Sequence, residues 1–188
     1  MTRSVLSRPH GGLTLIELLI TLAITAILIA VAAPSMREFI EKQKVEGAAN
    51  ELANDVRYLR SMSMQKNNIM LLSFRHTSAM SCYSLIEYGK GTGTCDCSRS
   101  PAAICDAVVG ADTEIKSVYL PVSGGVSVQS SLPQLQLAGN GGMVAGELSM
   151  TASVSSPAGG EVRVSVNAGG RASICNVSGH SSTFPDCQ

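Results

Sequence analysis

The chain has 188 residues, of which 45% are apolar and 15% are charged, and its 14 basic side chains equal its 14 acidic ones in number. This composition excludes a disordered acidic tail, which has few apolar residues, and a nucleic-acid-coating protein, which has a basic excess. Arg3 and Arg8 are the charged residues of the first twelve, so the chain from Leu13 onward has 12 basic and 14 acidic groups.

Residues 13–33 are the first predicted element, a run of 21 residues in which Glu17 has the single charge. A helix of that length is about 31 Å long, which matches the hydrocarbon core of a bilayer. The preceding leader, residues 1–12, is basic and favours the cytoplasmic side, so the body of the protein is predicted to lie on the opposite side. The alternative is a secretory signal peptide cleaved after the A-x-A site at 30–32. The length of the run and Pro34 just beyond that site argue against it.

Glu17 makes this segment unusual, because a carboxylate at the centre of an apolar span costs about 2.5–3.5 kcal/mol and needs a partner. The segment Gly-Gly-Leu-Thr-Leu-Ile-Glu at 11–17 resembles the prepilin signature of the type IV pilin and pseudopilin superfamily. The resemblance implies that a prepilin peptidase cuts after Gly12 and methylates the amine of Leu13, which stands where Phe is usual. It also implies that Glu17 neutralises the terminal amine of a neighbouring subunit during assembly, and that Pro34 kinks the helix.

Residues 34–66 are predicted to continue the helix as an amphipathic segment that packs on a globular domain. An apolar stripe recurs at steps of three or four: Val45, Ala49, Leu52, Val56 and Leu59. The polar face contains the charged residues Glu41, Lys42, Lys44, Glu46, Glu51, Asp55, Arg57 and Arg60. Because a proline removes one hydrogen bond of a helix, one long helix bent at Pro34 is expected. Three methionines are predicted to fill gaps in the core: Met36, Met62 and Met64.

From residue 67 onward the pattern is that of short strands separated by Gly, Ser, Pro and Asn. The predicted strands are Ile69–His76, Cys82–Tyr88, Ile115–Leu120, Val126–Gln129, Gln134–Leu137, Glu147–Val154, Glu161–Asn167 and Arg171–Val177. The clearest hairpin joins 162–166 to 171–175 through Asn-Ala-Gly-Gly, whose glycines permit positive φ. A second turn is predicted at 139–142. Residues 67–188 are therefore predicted to form an antiparallel β domain, and the fold class is α+β.

The six cysteines all lie in this β domain: Cys82, Cys95, Cys97, Cys105, Cys175 and Cys187. An even number of cysteines in an exported domain predicts three disulfides. The alternative is a zinc site at Cys95, Cys97 and Cys105. Their spacing is not that of a standard zinc knuckle and no histidine lies near, so we predict no metal.

The pairing of these cysteines is only partly predictable. We favour a Cys175–Cys187 bond that closes the C-terminal tail, because the other four cysteines lie close together in the sequence. Among those four, a Cys95–Cys97 bond is disfavoured by strain. Cys82 and Cys105 then take one of these two each, in an order that the sequence leaves open.

Three motifs of the β domain resemble the GspH/FimT family of minor pilins and pseudopilins. They are C-Y-x-x-I-x-Y-G at 82–89, S-V-x-L-P at 117–121 and G-R-x-x-x-C at 170–175. The resemblance implies the type IV pilin fold, in which a long N-terminal helix packs on an antiparallel, two-sheet β domain. It implies a low-abundance subunit that helps initiate assembly, with other pilin subunits and the prepilin peptidase as partners. The implied location is the bacterial inner membrane, crossed once, with the globular domain in the periplasm before incorporation into a filament.

DNA is a further implied partner, since FimT-like members bind it during natural transformation through arginines around G-R-x-R-x-C. Gly170, Arg171 and Cys175 match that motif, but Ser173 replaces its second arginine. Arg163 on the preceding strand is the candidate second cation. Two cations neutralise about two phosphates, which predicts weak and salt-dependent binding. The alternative is a hairpin with solvated arginines.

Enzyme motifs are absent from the sequence: it has no phosphate-binding loop, no G-x-S-x-G and no H-E-x-x-H. The three histidines are scattered. We therefore predict no catalytic activity and no cofactor. A minor type IV pilin is the first hypothesis; the alternatives are a DNA-binding pilin, a minor pseudopilin of type II secretion and a signal-cleaved periplasmic binding protein.

Overall fold

The computed structural model describes most of the chain, and Gly12 and Leu13 lie outside the described residues. Described are residues 14–90, 94–99, 104–106, 110–139, 142, 144, 149–157, 159–177 and 183–187. The chain divides into two compact units, Met1–Arg37 and Glu38–Gln188. One helix, α1, runs over Leu15–Lys66 and so contributes to both units.

The part of α1 in the first unit begins with a capped turn. The backbone N–H of Glu17 donates a hydrogen bond to Thr14 Oγ1 at 3.3 Å, which is the arrangement of an N-cap. The Glu17 carboxylate in this first turn interacts favourably with the positive end of the helix dipole. The apolar side chains that follow are exposed, with Leu15 at 78% and Val31 at 73%. By length and composition this helix could cross a membrane.

In the second unit, the predicted stripe of α1 is confirmed, because all five of its residues are completely buried. The prediction for the methionines is right only for Met62, which packs against the core. Met36 and Met64 are exposed. Met64 lies about 200° around the helix from Met62, since successive residues turn by about 100°. It therefore points away from the stripe.

The described part of the chain has eight strands after the helix, as the sequence predicts, and every pairing between them is antiparallel. Their bounds are β1 Met70–His76, β2 Met80–Glu87, β3 Thr113–Pro121, β4 Ser127–Ser130, β5 Gln134–Leu137, β6 Ser149–Ser156, β7 Gly160–Asn167 and β8 Ala172–Asn176. One sheet has the order β3-β2-β1-β5 and the other β4-β6-β7-β8. The predicted helix on an antiparallel, two-sheet β domain is therefore the observed architecture.

The main core lies where both sheets meet the stripe of α1. Alternate residues of β6 and β7 are buried in it: Met150, Ala152, Val154, Val162, Val164 and Val166. The other sheet contributes large side chains that include Leu72, Leu85 and Leu135. This period of two is what a strand with one buried face requires. It is also the signal by which these strands are predictable.

The predicted hairpin at 162–175 is formed by β7 and β8, with Val166 opposite Ala172. Its turn closes where the Asn167 N–H donates to the Arg171 carbonyl oxygen at 3.1 Å. Gly170 has φ of 67°, as the sequence predicts for a glycine of this turn. Half of the other predicted turn, residues 140 and 141, lies outside the described residues.

Three disulfides join the cysteines: Cys82–Cys97, Cys95–Cys105 and Cys175–Cys187. The last is the pair that the sequence favours, and the first two settle the order that it leaves open. All three sulfur atoms of the alternative zinc site are therefore engaged in bonds. The Cys82–Cys97 bond attaches the loop that follows β2 to that strand, and the Cys95–Cys105 bond closes the loop on itself. Ile104 and Cys95 of this loop form a second, small core with Leu71 and Ile86.

Candidate functional site

The predicted assembly residue, Glu17, lies in the first turn of α1 on a segment whose neighbours are exposed. Among the described residues, no lysine or arginine forms an ion pair with its carboxylate. Ile16 and Leu18 on either side of it are 66% and 51% exposed. A carboxylate in such apolar surroundings is stable only with a counter-charge, which this unit does not itself supply within the described range.

The two predicted DNA-contacting residues, Arg163 and Arg171, are not brought together. Arg163 lies opposite Cys175, and Arg171 comes four residues before that cysteine. At about 3.3 Å per strand residue the two positions are about 13 Å apart along the hairpin. Arg163 also has a carboxylate beside it, since Glu161 lies 4.0 Å away. The predicted pair is therefore two separate cations, one of them partly neutralised.

Arg171 instead lies beside two arginines of α1, Arg57 and Arg60. The three line one cavity of about 410 Å³, which we call the arginine pocket, together with Ser61, Met64, Gly170 and Ala172. The sequence signal for the helical pair is its spacing of three, which places both side chains on one face. That a turn more than a hundred residues away completes the cluster depends on tertiary packing and has no local signal.

A polar network joins α1 to the first sheet, and it corrects the prediction for Asp55. This residue was predicted to lie on the polar face, yet it is only 7% exposed. The Tyr83 hydroxyl donates to Asp55 Oδ2 at 2.8 Å, and Lys116 Nζ donates to the same oxygen at 2.8 Å. Lys116 Nζ also donates to Glu51 at 2.9 Å. The buried carboxylate is thereby hydrogen-bonded and paired, as buried charges must be.

The network raises the pKa values of two of its groups, Tyr83 and Lys116. Burial raises the pKa of Tyr83, and the Asp55 charge and hydrogen bond raise it further. Burial alone would lower the pKa of Lys116, but its hydrogen bonds to Asp55 and Glu51 outweigh burial and raise it. At neutral pH the tyrosine is therefore neutral and the lysine charged, so both donate hydrogen bonds to Asp55.

The disulfide-bonded loop is further held by two ion pairs. Arg75 on β1 donates to Asp96 at 3.1 Å, and Arg99 donates to Asp106 at 2.6 Å. Burial acts to raise the pKa of Asp96, but hydrogen bonds from Ser98 and the Arg75 charge outweigh it and lower the pKa. The Thr94 N–H and the Arg99 guanidinium lower the pKa of Asp106. Both arginines are thus already paired within the chain.

Comparison with known families identifies the chain. The family model described as the prokaryotic N-terminal methylation motif matches residues 7–33. The model for the type II transport protein GspH matches residues 48–170, which is well over half of the chain. The chain belongs to the GspH family. The first match spans the predicted cleavage site and Glu17. The second covers Arg57 and Arg60 of α1, most of the β domain and Gly170.

Solved structures similar to this GspH-family chain include two crystal structures of the type IV minor pilin FimU of Pseudomonas aeruginosa. The first is 14% identical with a TM-score of 0.47, and it covers 74% of this chain and 92% of the FimU chain. The second is also 14% identical with a TM-score of 0.46, and the coverages are 69% and 90%. A search of curated proteins finds no match to the chain.

Proposed function

We propose that this GspH-family chain is a minor type IV pilin, a non-catalytic filament subunit that helps to initiate assembly. The observation that carries the proposal is the position of Glu17. It lies in the capped first turn of an exposed apolar helix, inside a match to the N-terminal methylation motif, and has no counter-charge among the described residues of its own chain. A terminal amine of a neighbouring subunit, freed by cleavage after Gly12, would supply that charge.

The same features support the proposed location. The apolar segment is long enough to cross the inner membrane once, and the disulfides of the β domain suit the oxidising periplasm. Before assembly the exposed apolar side chains would lie in lipid, and in a filament they would pack against other subunits. The prepilin peptidase is then the first partner and other pilins are the later ones.

The test is incorporation of a Glu17→Gln variant, which keeps the size of the side chain and removes its charge. We expect membrane insertion to be intact, because a neutral side chain is less costly in lipid. We expect at least a tenfold loss from sheared filaments, measured by immunoblot against the membrane fraction. The matched control is Thr25→Ala in the same helix, since the Thr25 hydroxyl bonds within the helix to the Thr21 carbonyl oxygen at 2.7 Å. Normal incorporation of Glu17→Gln would contradict the charge-pair role.

A type II secretion pseudopilin is the second candidate, and the description of the matching family model favours it. The two candidates share the N-terminal segment, so Glu17 variants do not separate them. A deletion strain does. Loss of twitching with normal exoprotein secretion supports the pilus, and the reverse supports the pseudopilus.

DNA binding through Arg163 and Arg171 is the weaker alternative. The separation of about 13 Å and the carboxylate of Glu161 beside Arg163 both argue against a shared phosphate-binding track. Retardation of DNA that is lost when both arginines are replaced by alanine would support this alternative. Unchanged retardation would eliminate these two residues as the contact.

A further inference from the structure

The arginine pocket differs from the rest of the globular unit in the state of its charges. Outside the pocket, every described arginine of Glu38–Gln188 has a carboxylate within 4.0 Å: Arg75 with Asp96, Arg99 with Asp106 and Arg163 with Glu161. The three pocket arginines form no ion pair with any described residue. Within the described residues, Arg57 donates only to a neutral acceptor, Asn54 Oδ1, at 2.7 Å. Three positive charges therefore converge on one cavity with no anion of the described chain to balance them.

Arg60 combines a positive charge with a buried nitrogen. Its Nε is buried and has no hydrogen-bond partner among the described residues. Desolvating part of a guanidinium without a partner is costly, and a nearby anion offsets that cost. The guanidinium still lines the cavity, where its charge is available to a bound group.

The pocket is also preorganised by the backbone around it. The Arg60 side chain packs against Gly142 and Gly170, which both have positive φ, and a Cβ on Gly170 would lie 3.2 Å from Arg60 Cδ. Arg171 is held by its own N–H, which donates to Asn167 Oδ1 at 3.0 Å in the hairpin turn. A site that is already ordered loses less entropy when it binds a ligand.

From these observations we infer that the arginine pocket receives an acidic side chain, the carboxylate of a glutamate or aspartate, from a neighbouring filament subunit. This inference rests on the proposed function, because it requires that the chain assembles with other subunits. Guanidinium groups bind carboxylates through paired hydrogen bonds, and Met64 and Ala172 in the wall can pack the methylene groups of the incoming side chain.

The size and lining of the pocket favour a protein carboxylate over a nucleic acid. A cavity of about 410 Å³ is large enough to accommodate one acidic side chain. None of its described lining residues is aromatic, so they offer bases no stacking surface. A nucleic acid that binds at the same arginines is thus the competing outcome that the experiment must detect.

The experiment uses the full chain in detergent micelles and two fluorescent probes of equal charge, a blocked tetraglutamate peptide and a five-nucleotide oligothymidylate. We expect saturable anisotropy for the peptide and at least a tenfold weaker dissociation constant for the triple variant Arg57→Gln, Arg60→Gln, Arg171→Gln. The matched control is Arg75→Gln, Arg99→Gln, Arg163→Gln, which removes the same net charge from paired arginines. We expect that control to change the constant less than twofold.

A second variant keeps the test decisive if the triple variant folds poorly. Met64→Glu changes an exposed side chain at the pocket wall, so its carboxylate should occupy the arginines from within the chain and weaken peptide binding at least tenfold. Equal losses in the pocket and control triples would mean that only net charge matters. Wild-type binding by Met64→Glu, or the absence of saturable peptide binding, would also overturn the inference. If the oligothymidylate bound more tightly than the peptide, and did so through the pocket arginines, the inferred carboxylate ligand would be wrong. The pocket would then be a site for a nucleic-acid phosphate.

The failure of this inference and that of the proposed function have different readouts. If Glu17→Gln enters filaments normally, the proposed function fails whatever the peptide does. If Glu17→Gln is excluded from filaments while the peptide does not bind, the inference alone fails.

Discussion

Replacing Tyr83 by phenylalanine removes one hydroxyl from the buried network that joins α1 to β2. Tyr83 is 2% exposed and donates to Asp55, which is 7% exposed, at 2.8 Å. A hydrogen bond to a charged group contributes about 1.5–3 kcal/mol to stability. Lys116 still donates to both Asp55 oxygens at 2.8 and 2.9 Å, so the carboxylate is not left without partners. We therefore expect a loss at the lower end of this range, about 1.5 kcal/mol in the free energy of unfolding.

The assay is urea unfolding of the full chain in micelles at pH 7 with the disulfides intact. The matched control is Tyr58→Phe, because Tyr58 lies on α1, the helix that contains Asp55, and is 48% exposed. Its effect should stay within about 0.5 kcal/mol, as is usual for surface changes. Combining Tyr83→Phe with Lys116→Met should cost more than the sum of the single changes, because Asp55 then loses all these donors at once. A Tyr83→Phe effect no larger than that of Tyr58→Phe would refute the role assigned to the network.

The remaining predictions concern alkaline pH and the hairpin turn. Because the pKa of Tyr83 is raised in the folded state, the unfolded tyrosine ionises first, and stability should fall as pH rises above the ordinary tyrosine value of about 10. The fall due to this one residue should be about 1.4 kcal/mol per pH unit and should be missing in Tyr83→Phe; equal slopes for both proteins would contradict it. Gly170→Ala should destabilise by more than about 1–2 kcal/mol, since Gly170 has φ of 67° and its Cβ would collide with the Gly142 carbonyl oxygen. Gly169→Ala is its control, because that Cβ would meet only Asn167 Oδ1 at 3.4 Å, and similar losses in urea unfolding for the two variants would show that the turn is not strained.

The helix and the strands were predictable because their signals are local. The stripe from Val45 to Leu59 repeats with the period of a helix, and the alternation in β6 and β7 repeats with that of a strand. Each period arises because one face of a single segment is turned toward the core. The sequence therefore suffices for these elements and, with the matching motif, for the position of Glu17 in a helical first turn.

Other features depend on which distant segments meet. The choice of Cys97 as the partner of Cys82 is determined by how the loop folds back on β2. Asp55 looks like one more charge on a polar helix face until Tyr83 and Lys116 arrive from the sheet. Likewise, Arg57 and Arg60 become a site only when the turn at Arg171 packs beside them. Each of these contacts joins residues that are far apart in the sequence, so neither the helix period nor the strand period predicts it.

The intact mass of the protein recovered from the inner membrane tests the pilin assignment most directly. The account predicts a mature chain that begins at Leu13 and has one added methyl group, because the peptidase removes residues 1–12 and methylates the new amine. In a strain without the prepilin peptidase, the mass should be that of the uncleaved chain. A mature chain that begins near Ala33 in both strains would contradict the account and identify a cleaved signal peptide instead.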